Sequence, residues 1–127
     1  MEQLSGHLGH QTLVELYGCP EDIIDDKNKV ESILVELANL IDLTIVNTTI
    51  HHFSPIGVSG VVVVQESHIT VHTWPEHNYV AIDFFTCNVR YDINKGVAFL
   101  KEKLKAKKVE INEIQRGPLD KIKTFNK

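Results

Sequence analysis

The feature that most constrains the fold is a run of β-branched and aromatic residues that extends, with few interruptions, from Leu43 to Cys87. Such residues fit the pleated surface of a sheet. Two segments rich in Pro, Gly, Ser and Asn break the run and predict chain reversals. The run therefore places the middle of the chain in a sheet, with predicted strands over residues 43–53, 58–66, 68–74 and 79–87.

Helical patterns flank this central sheet on both sides. Apolar residues at spacings of three and four predict an amphipathic helix over residues 22–41, and Pro20 with the acidic residues after it suits a helix start. Asp92 is predicted to cap a second helix that runs through Leu104. Strands are therefore expected on both sides of each helix.

Strands predicted over residues 11–17 and 108–115 complete the order β-α-β-β-β-β-α-β, and residues 117–127 are predicted to form a loose tail. This order predicts an α+β fold, a two-layer sandwich in which a mostly antiparallel sheet carries both helices on one face. The other face is rich in apolar residues and needs a cover. We therefore expect a homo-oligomer, with a dimer as the expected form.

Size and charge narrow the class of protein. A chain of 127 residues predicts a single domain, and its net charge of −4 argues against a nucleic-acid partner. We expect no membrane span, because no apolar stretch reaches about eighteen residues, and no secretory leader. Cys19 and Cys87 lie in different contexts, which favours a cytoplasmic protein with free thiols over a disulfide scaffold.

The junction between the two middle strands carries unusual residues. A tight reversal between apolar strands ordinarily uses Asn-Gly or Asp-Gly. This chain has Glu66-Ser67-His68, an acid, a hydroxyl and an imidazole. Ser67 alone would be read as a turn hydroxyl, so the neighbouring residues must decide between a turn and a reactive site.

Residues two apart on a strand share a face. His68 and His72 therefore point the same way, and a downstream strand ends in Cys87. No carboxylate stands at metal-ligand spacing and no HExxH or CxxC motif is present, so no metal site is predicted. Cys87 taken alone would be a small buried hydrophobe. Ser59 lies between Gly57 and Gly60, where backbones can approach closely.

Taken together, four segments resemble the short prokaryotic S-adenosylmethionine decarboxylase proenzymes. The likeness extends from about residue 9 to residue 117, and its central block is the specific part. The segments are Gly57-Val58-Ser59-Gly60, Glu66-Ser67-His68, His72-Thr73-Trp74-Pro75-Glu76 and Asp83-Phe84-Phe85-Thr86-Cys87.

The resemblance implies a chain that cuts itself. The hydroxyl of Ser67 would attack the carbonyl of Glu66 to form an ester, and loss of the Ser67 Cα proton would release the Glu66 carboxylate. The dehydroalanine that remains hydrolyses to a pyruvoyl group and ammonia. The products would be a β subunit, residues 1–66, and an α subunit, residues 67–127, which begins with the pyruvoyl group.

The resemblance also implies the reaction and the roles of three residues. The pyruvoyl group would form a Schiff base with S-adenosylmethionine and act as electron sink in place of pyridoxal phosphate. His72 would remove the Ser67 α-proton, Ser59 would hydrogen-bond the processing intermediate, and Cys87 would protonate the decarboxylated carbon. The product, S-adenosylmethioninamine, is the aminopropyl donor of spermidine and polyamine synthesis.

Three residues are candidates for substrate binding. The resemblance suggests Phe53 for stacking on adenine, and aromatic faces also attract a sulfonium cation. Glu76 suits the two ribose hydroxyls. Trp74 either contacts the substrate or belongs to the core.

Two alternatives stay open. Relatives with the same pyruvoyl chemistry decarboxylate arginine or ornithine, and they would share Ser67, His72 and Cys87. A nucleoside substrate is favoured by Phe53, Trp74 and Glu76. The second alternative is an unprocessed regulatory subunit, which would have no need of the three processing residues.

Overall fold

The computed structural model describes residues 6–65, 67–87 and 91–126. The described residues form one sheet, and its neighbouring strands are all antiparallel. Its strands are β1 His7–Tyr17, β2 Ile45–His52, β3 Val58–Val64, β4 Ser67–Trp74, β5 Tyr79–Thr86 and β6 Lys108–Pro118. Their order across the sheet is β2-β3-β4-β5-β1-β6, so β1 lies in the interior although it begins the chain.

The helices of the described chain are α1 Glu21–Ile24, α2 Lys27–Leu40, α3 Ile93–Lys103 and α4 Leu119–Phe125. The two longest, α2 and α3, contact each other and share the buried core with one face of the sheet. The predicted α+β two-layer sandwich is therefore confirmed. No helix in these described segments is long and apolar enough to cross a membrane.

The core lies between the sheet and the two long helices. Along β5 every second side chain is buried, and the same alternation runs along β4. These side chains meet Leu34, Leu37 and Leu100 of the helices. Each such side chain contributes about 1.5–3 kcal/mol when it leaves water, so the core fixes which way each strand faces.

The same alternation defines the opposite side, which we call the open face. On β4 it carries His68, Thr70, His72 and Trp74, and on β5 it carries Tyr79, Ala81, Asp83 and Phe85. The helix-covered face carries the residues between them. The open face therefore carries the even-numbered residues of β4 and the odd-numbered residues of β5.

The predicted helix over residues 22–41 is two helices in the structure. Asp25 and Asp26 separate α1 from α2, and the side chain of Asp26 accepts a hydrogen bond from Lys29 N at 3.1 Å. An Asp that caps a helix adopts extended backbone angles, so it ends the preceding turn. The predicted cap of α3 is present, since Asp92 accepts from Lys95 N at 3.1 Å.

The prediction of a loose tail over residues 117–127 is wrong. Strand β1 begins at His7, four residues before the predicted start, and these extra residues pair with β6 as far as Pro118. Helix α4 follows, and Leu119 N donates to Gly6 O at 2.8 Å. The carboxyl-terminal segment is ordered because the first strand extends far enough to receive it.

A tight turn over residues 53–57 joins β2 to β3. Its Ser54–Pro55 bond is cis, and Gly57 has a φ of 111°, which favours glycine. Phe53 N donates to Gly57 O at 2.8 Å and closes the turn. Just beyond it, a Cβ on Gly60 would lie 2.8 Å from Thr49 O, so the close strand approach predicted around Ser59 is present.

Candidate active site

A pocket of about 250 Å³ opens where the β2–β3 turn meets the end of β4. Five of the residues predicted for the site line it. They are Phe53, Ser59, His72, Trp74 and Glu76. Three elements supply them, namely the turn after β2, the facing positions of β3 and β4, and the 3₁₀ turn Pro75–His77.

Ser59 and His72 are paired by strand register. They face each other across β3 and β4 on the open face. A 2.9 Å hydrogen bond joins Ser59 Oγ to His72 Nδ1. This bond fixes the orientation of the imidazole and directs Nε2 away from Ser59.

Aromatic rings form the rim of the pocket. Trp74 stacks on Tyr79 with ring centroids 5.3 Å apart, yet it remains 41% exposed. Phe53 is 46% exposed and meets the edge of His51 at 4.7 Å. These two rings are therefore held from behind and open to solvent in front, as a stacking surface requires.

Ser67 lies at the other end of β4, where it is the first residue of the strand. Its hydroxyl donates to Thr86 Oγ1 at 2.7 Å, on the helix-covered face. Cys87 follows Thr86 immediately, with a free and partly buried thiol. Glu66, the residue predicted to be cleaved from Ser67, lies outside the described residues.

The predicted site residues thus form two groups. Ser67 and Cys87 lie at one end of the β4–β5 pair, and the pocket residues lie at the other. Trp74 lies seven positions beyond Ser67 along the extended strand, which is about 23 Å at 3.3 Å per residue. A single chain therefore does not gather all of the predicted site.

Between the two groups, the open face carries a partly buried carboxyl. Thr70 donates a hydrogen bond to Asp83 from the facing position on β4. Burial raises the pKa of Asp83 above its ordinary value, and the neighbouring His68 and His72 oppose this shift. The ring of His68 stacks on Phe85 at 5.6 Å and nearly parallel, so the open face is a layer of packed rings around this carboxyl.

Histidine side chains are potential metal ligands in this chain. The seven histidines lie scattered along it. In these segments, no group of three or more His, Cys, Asp or Glu side chains is arranged to hold a metal ion.

Comparison with known sequences decides the family. The profile of the family described as S-adenosylmethionine decarboxylase matches residues 10–117. The chain belongs to this family. All of the predicted site residues fall inside the matched range, and the resemblance found in the motifs is confirmed together with the enzyme class, a decarboxylase.

Individual relatives of the S-adenosylmethionine decarboxylase family agree over nearly the whole chain. A protein of Thermosipho africanus is 44% identical over 115 residues, 91% of this chain and 88% of its own. One of Clostridium botulinum is 46% identical over 112 residues, 88% of this chain and 97% of its own. A protein of Pyrococcus furiosus is 42% identical over 118 residues, which are 93% of this chain and 85% of its own. Each is named an S-adenosylmethionine decarboxylase proenzyme.

Solved structures of the family share the architecture. The adenosylmethionine decarboxylase of Aquifex aeolicus superposes with a TM-score of 0.81 at 29% identity, over 91% of this chain and 95% of that one. The Trypanosoma brucei AdoMetDC monomer superposes with a TM-score of 0.61 at 14% identity. It covers 80% of this chain but 44% of the larger protein, and this second likeness shows the fold alone.

In this decarboxylase chain, the structure adds residues that the sequence did not indicate. Asp25 accepts a hydrogen bond from Gly57 N at 2.8 Å and lies 2.9 Å from His52 Nε2. Thr73 accepts from Val58 N and donates to Ile24 O, both at 2.9 Å. These contacts tie the α1–α2 junction to the turn that carries Phe53.

The sequence gives little indication of Asp25 and of Thr86, the partner of Ser67, because their contacts join residues far apart in the chain. Asp25 is 32 residues from Gly57, so no local spacing links them. Thr86 stands beside Cys87 in the sequence, but only the register of β4 and β5 shows that it faces Ser67. The sequence motif contains Thr86, but the pairing of β4 with β5 is needed to recognise it as the partner of Ser67.

Proposed function

We propose that the chain is a self-processing, pyruvoyl-dependent enzyme that decarboxylates S-adenosylmethionine to the aminopropyl donor of polyamine and spermidine synthesis. Family membership carries the decarboxylation of S-adenosylmethionine. One geometric observation carries the self-processing: Ser67 is the first residue of β4. A cut before Ser67 would leave the new amino terminus held at the end of a central strand, beside Cys87.

The cut would yield a β subunit of residues 1–66 and an α subunit of residues 67–127. The chain's residues fit a pyruvoyl group at position 67, because the side chain there is a hydroxyl with a hydrogen-bond partner, Thr86. The group would supply an electron-withdrawing ketone, which takes up the electrons released as CO₂ leaves. No pyridoxal phosphate or metal is required for this chemistry.

The other residues of the two groups have distinct tasks in this proposal. His72 of a second copy, oriented by Ser59 of that copy, takes the Ser67 α-proton during processing. Cys87 donates a proton to the carbon that has lost CO₂. Its position next to the strand partner of Ser67 supports this task.

The pocket supports a nucleoside substrate over arginine or ornithine. Phe53 and Trp74 present exposed rings that suit a flat adenine and a sulfonium cation. Glu76 lines the same pocket and can accept hydrogen bonds from both ribose hydroxyls. A plain amino acid would leave these groups without a partner. A regulatory subunit that does not bind this substrate would have no need of the pocket.

The separation of the two groups supports a dimer. A substrate bound through Phe53 and Glu76 cannot also reach position 67 of the same chain across about 23 Å of strand. A second copy packed on the open face would bring its pocket to the first copy's Ser67. Exposed apolar residues on that face, Val63 and Trp74 among them, fit such contact.

We also place the protein in the cytoplasm. Both cysteines are free, and one of them, Cys19, is buried in the core. Free thiols persist in a reducing compartment, which supports this placement.

The test is the mass of the purified protein. We expect two fragments that divide before Ser67, with the α fragment lacking a free amino group. Ser67→Ala is expected to remain one inactive chain, and Ser32→Ala, on the exposed surface of α2, is the matched control that cleaves normally. A wild-type protein that stays full length after long incubation would refute self-processing.

The substrate is tested by release of CO₂ from S-adenosylmethionine, arginine and ornithine in parallel. We expect turnover of S-adenosylmethionine alone. Turnover of arginine or ornithine without S-adenosylmethionine would overturn the assignment of the pocket. Absence of turnover in a protein that has cleaved itself would leave the processing proposal standing and remove the decarboxylase activity.

A further inference from the structure

We propose that Thr86 holds and activates the Ser67 hydroxyl in the first step of self-cleavage, while His72 acts only in the second step. This inference rests on the proposed self-processing at Ser67. It assigns a task to a residue outside the pocket and divides the two proton transfers between the two faces of the sheet.

The contact between the two hydroxyls is direct. Ser67 Oγ donates to Thr86 Oγ1 at 2.7 Å, the usual distance for a hydrogen bond between two hydroxyls. The two residues are Cα partners in the β4–β5 register, so the backbone holds both ends of the bond. Thr86 is only 2% exposed, and its β-branched side chain has few rotamers available. The acceptor is therefore fixed before Ser67 reacts.

His72 cannot reach this hydroxyl within the same chain. It lies five residues further along β4, about 16 Å away. The odd spacing also puts the two side chains on opposite faces. Ser59 is bonded to His72 and shares its location. The residue in contact with the hydroxyl is Thr86.

A second copy does not change this assignment. The copy proposed above would cover the open face, whereas the Ser67 hydroxyl points to the helix-covered face. In a strand the Cα hydrogen lies close to the plane of the sheet, whereas the side chain stands out on one face. A histidine that arrives over the open face is therefore placed to take the Cα proton and not the hydroxyl proton.

The chemistry of the two steps balances with these residues alone. In the first step Ser67 Oγ forms a bond to the Glu66 carbonyl carbon and the bond from that carbon to the Ser67 nitrogen breaks. The hydroxyl proton passes by way of Thr86 to the nitrogen, which becomes an amine. In the second step His72 of the second copy removes the Cα proton, the bond from Ser67 Cβ to the ester oxygen breaks, and the Glu66 carboxylate leaves.

The variant that tests the contact is Thr86→Val, which keeps the branched shape and removes the acceptor. We expect the initial rate of cleavage, followed by intact mass, to fall by roughly a hundredfold, the lower range for loss of a group that assists proton transfer. Thr86→Ser keeps the hydroxyl and is expected to restore cleavage. Thr12→Val is the matched control, a similarly buried threonine on the helix-covered face, two strands away from Ser67.

Hydroxylamine separates the two steps because it cleaves an ester and leaves an amide intact. The His72→Ala protein is expected to accumulate the ester and to split with hydroxylamine into fragments of residues 1–66 and 67–127. The Thr86→Val protein is expected to stay intact under the same treatment, with a melting temperature close to that of the Thr12→Val control.

The outcomes are distinct. Cleavage of Thr86→Val at the wild-type rate, or an ester in that variant that hydroxylamine splits, would overturn the role of Thr86 and leave self-processing intact. Failure of Thr86→Ser to restore cleavage would also count against it, since only the hydroxyl is invoked. Absence of cleavage in the wild type would instead remove the proposed function itself.

Discussion

Asp83 is a titratable residue in the middle of the open face. It is partly buried, it accepts a hydrogen bond from Thr70, and its pKa lies above the ordinary value because burial disfavours the charged form. The two histidines beside it, His68 and His72, reduce that shift. Asp83 therefore holds its proton more tightly in the folded protein than in the unfolded chain.

Substitution of Asp83 by Asn is expected to stabilise the fold at neutral pH. A carboxyl whose folded pKa is raised binds its proton more tightly in the native state, so stability falls as the pH rises through the window between the unfolded and folded pKa values. The gain from Asp83→Asn should thus be largest above that window and shrink as the pH falls. Thermal unfolding of both proteins between about pH 4 and pH 8 measures it.

The Ser67→Ala precursor is the right background for this comparison, because cleavage then cannot alter the result. Glu76→Gln, an exposed carboxyl outside the packed layer, serves as the control. A stability gain from Asp83→Asn that grows toward acid pH, relative to the parent protein, would contradict the expected direction.

At the scale of elements, the α1–α2 junction acts as a brace for the substrate turn. Asp25 receives the Gly57 N–H, and Thr73 connects Val58 to Ile24. The Gly57 hydrogen bond, with help from His52, holds the pKa of Asp25 below its ordinary value despite some burial. The position of Phe53 in the pocket thus depends on a helix junction in another part of the chain.

Removal of this carboxylate should loosen the turn. Asp25→Ala leaves the buried Gly57 N–H without its acceptor, which costs about 1–3 kcal/mol of folding stability. We expect KM for S-adenosylmethionine to rise several-fold with a smaller change in kcat, because the turn carries a binding ring and not a reacting group. Steady-state kinetics of the cleaved enzyme measure both values.

The pH dependence gives a second check on the same residue. Because the folded pKa of Asp25 is depressed, its contribution is present above the unfolded carboxyl range and is lost as the pH falls through the folded value. Asp25→Asn should therefore show less acid destabilisation than the wild type. Asp22→Ala, an exposed carboxylate in the same acidic stretch, is the matched control. Equal effects of the two changes would exclude a specific brace.

Local patterns predicted most elements, and distant pairing explains the failures. The alternation along β5 and the cap at Asp92 depend on nearby residues, so the sequence alone indicated them. The break at Asp26 and the order of the carboxyl-terminal segment depend on a competing cap and on the pairing of β1 with β6. The partners of Asp25 and Thr86 depend on contacts that sequence spacing does not show.

At the scale of the whole molecule, the two groups of site residues make the dimer testable by complementation. Coexpression of Ser67→Ala with Glu76→Ala should restore activity, since a mixed dimer holds one site with both native halves. If the two variants pair at random, half of the dimers are mixed, and each mixed dimer has one intact site out of two. About a quarter of wild-type activity is therefore expected. Each variant alone is expected to be nearly inactive.

The control pair is Phe53→Ala with Glu76→Ala, whose changes lie in the same pocket. Mixed dimers of these two variants have no intact pocket and should show no recovery. Recovery in neither mixture would mean that each chain carries its own complete site. Equal recovery in both mixtures would point to exchange or refolding and not to shared sites.

The strand order has a consequence for the fate of the cleaved protein. Residues 1–66 supply β1, β2 and β3, and β1 is inserted between β5 and β6 of the other fragment. The two fragments would therefore be interwoven along three strand boundaries, β3–β4, β5–β1 and β1–β6. Once cut, they could not separate without loss of the whole sheet. After denaturation, refolding would require two separate chains to meet, and its rate would fall as the protein is diluted. The mature enzyme would therefore remain folded under conditions in which, once denatured, it could not readily refold.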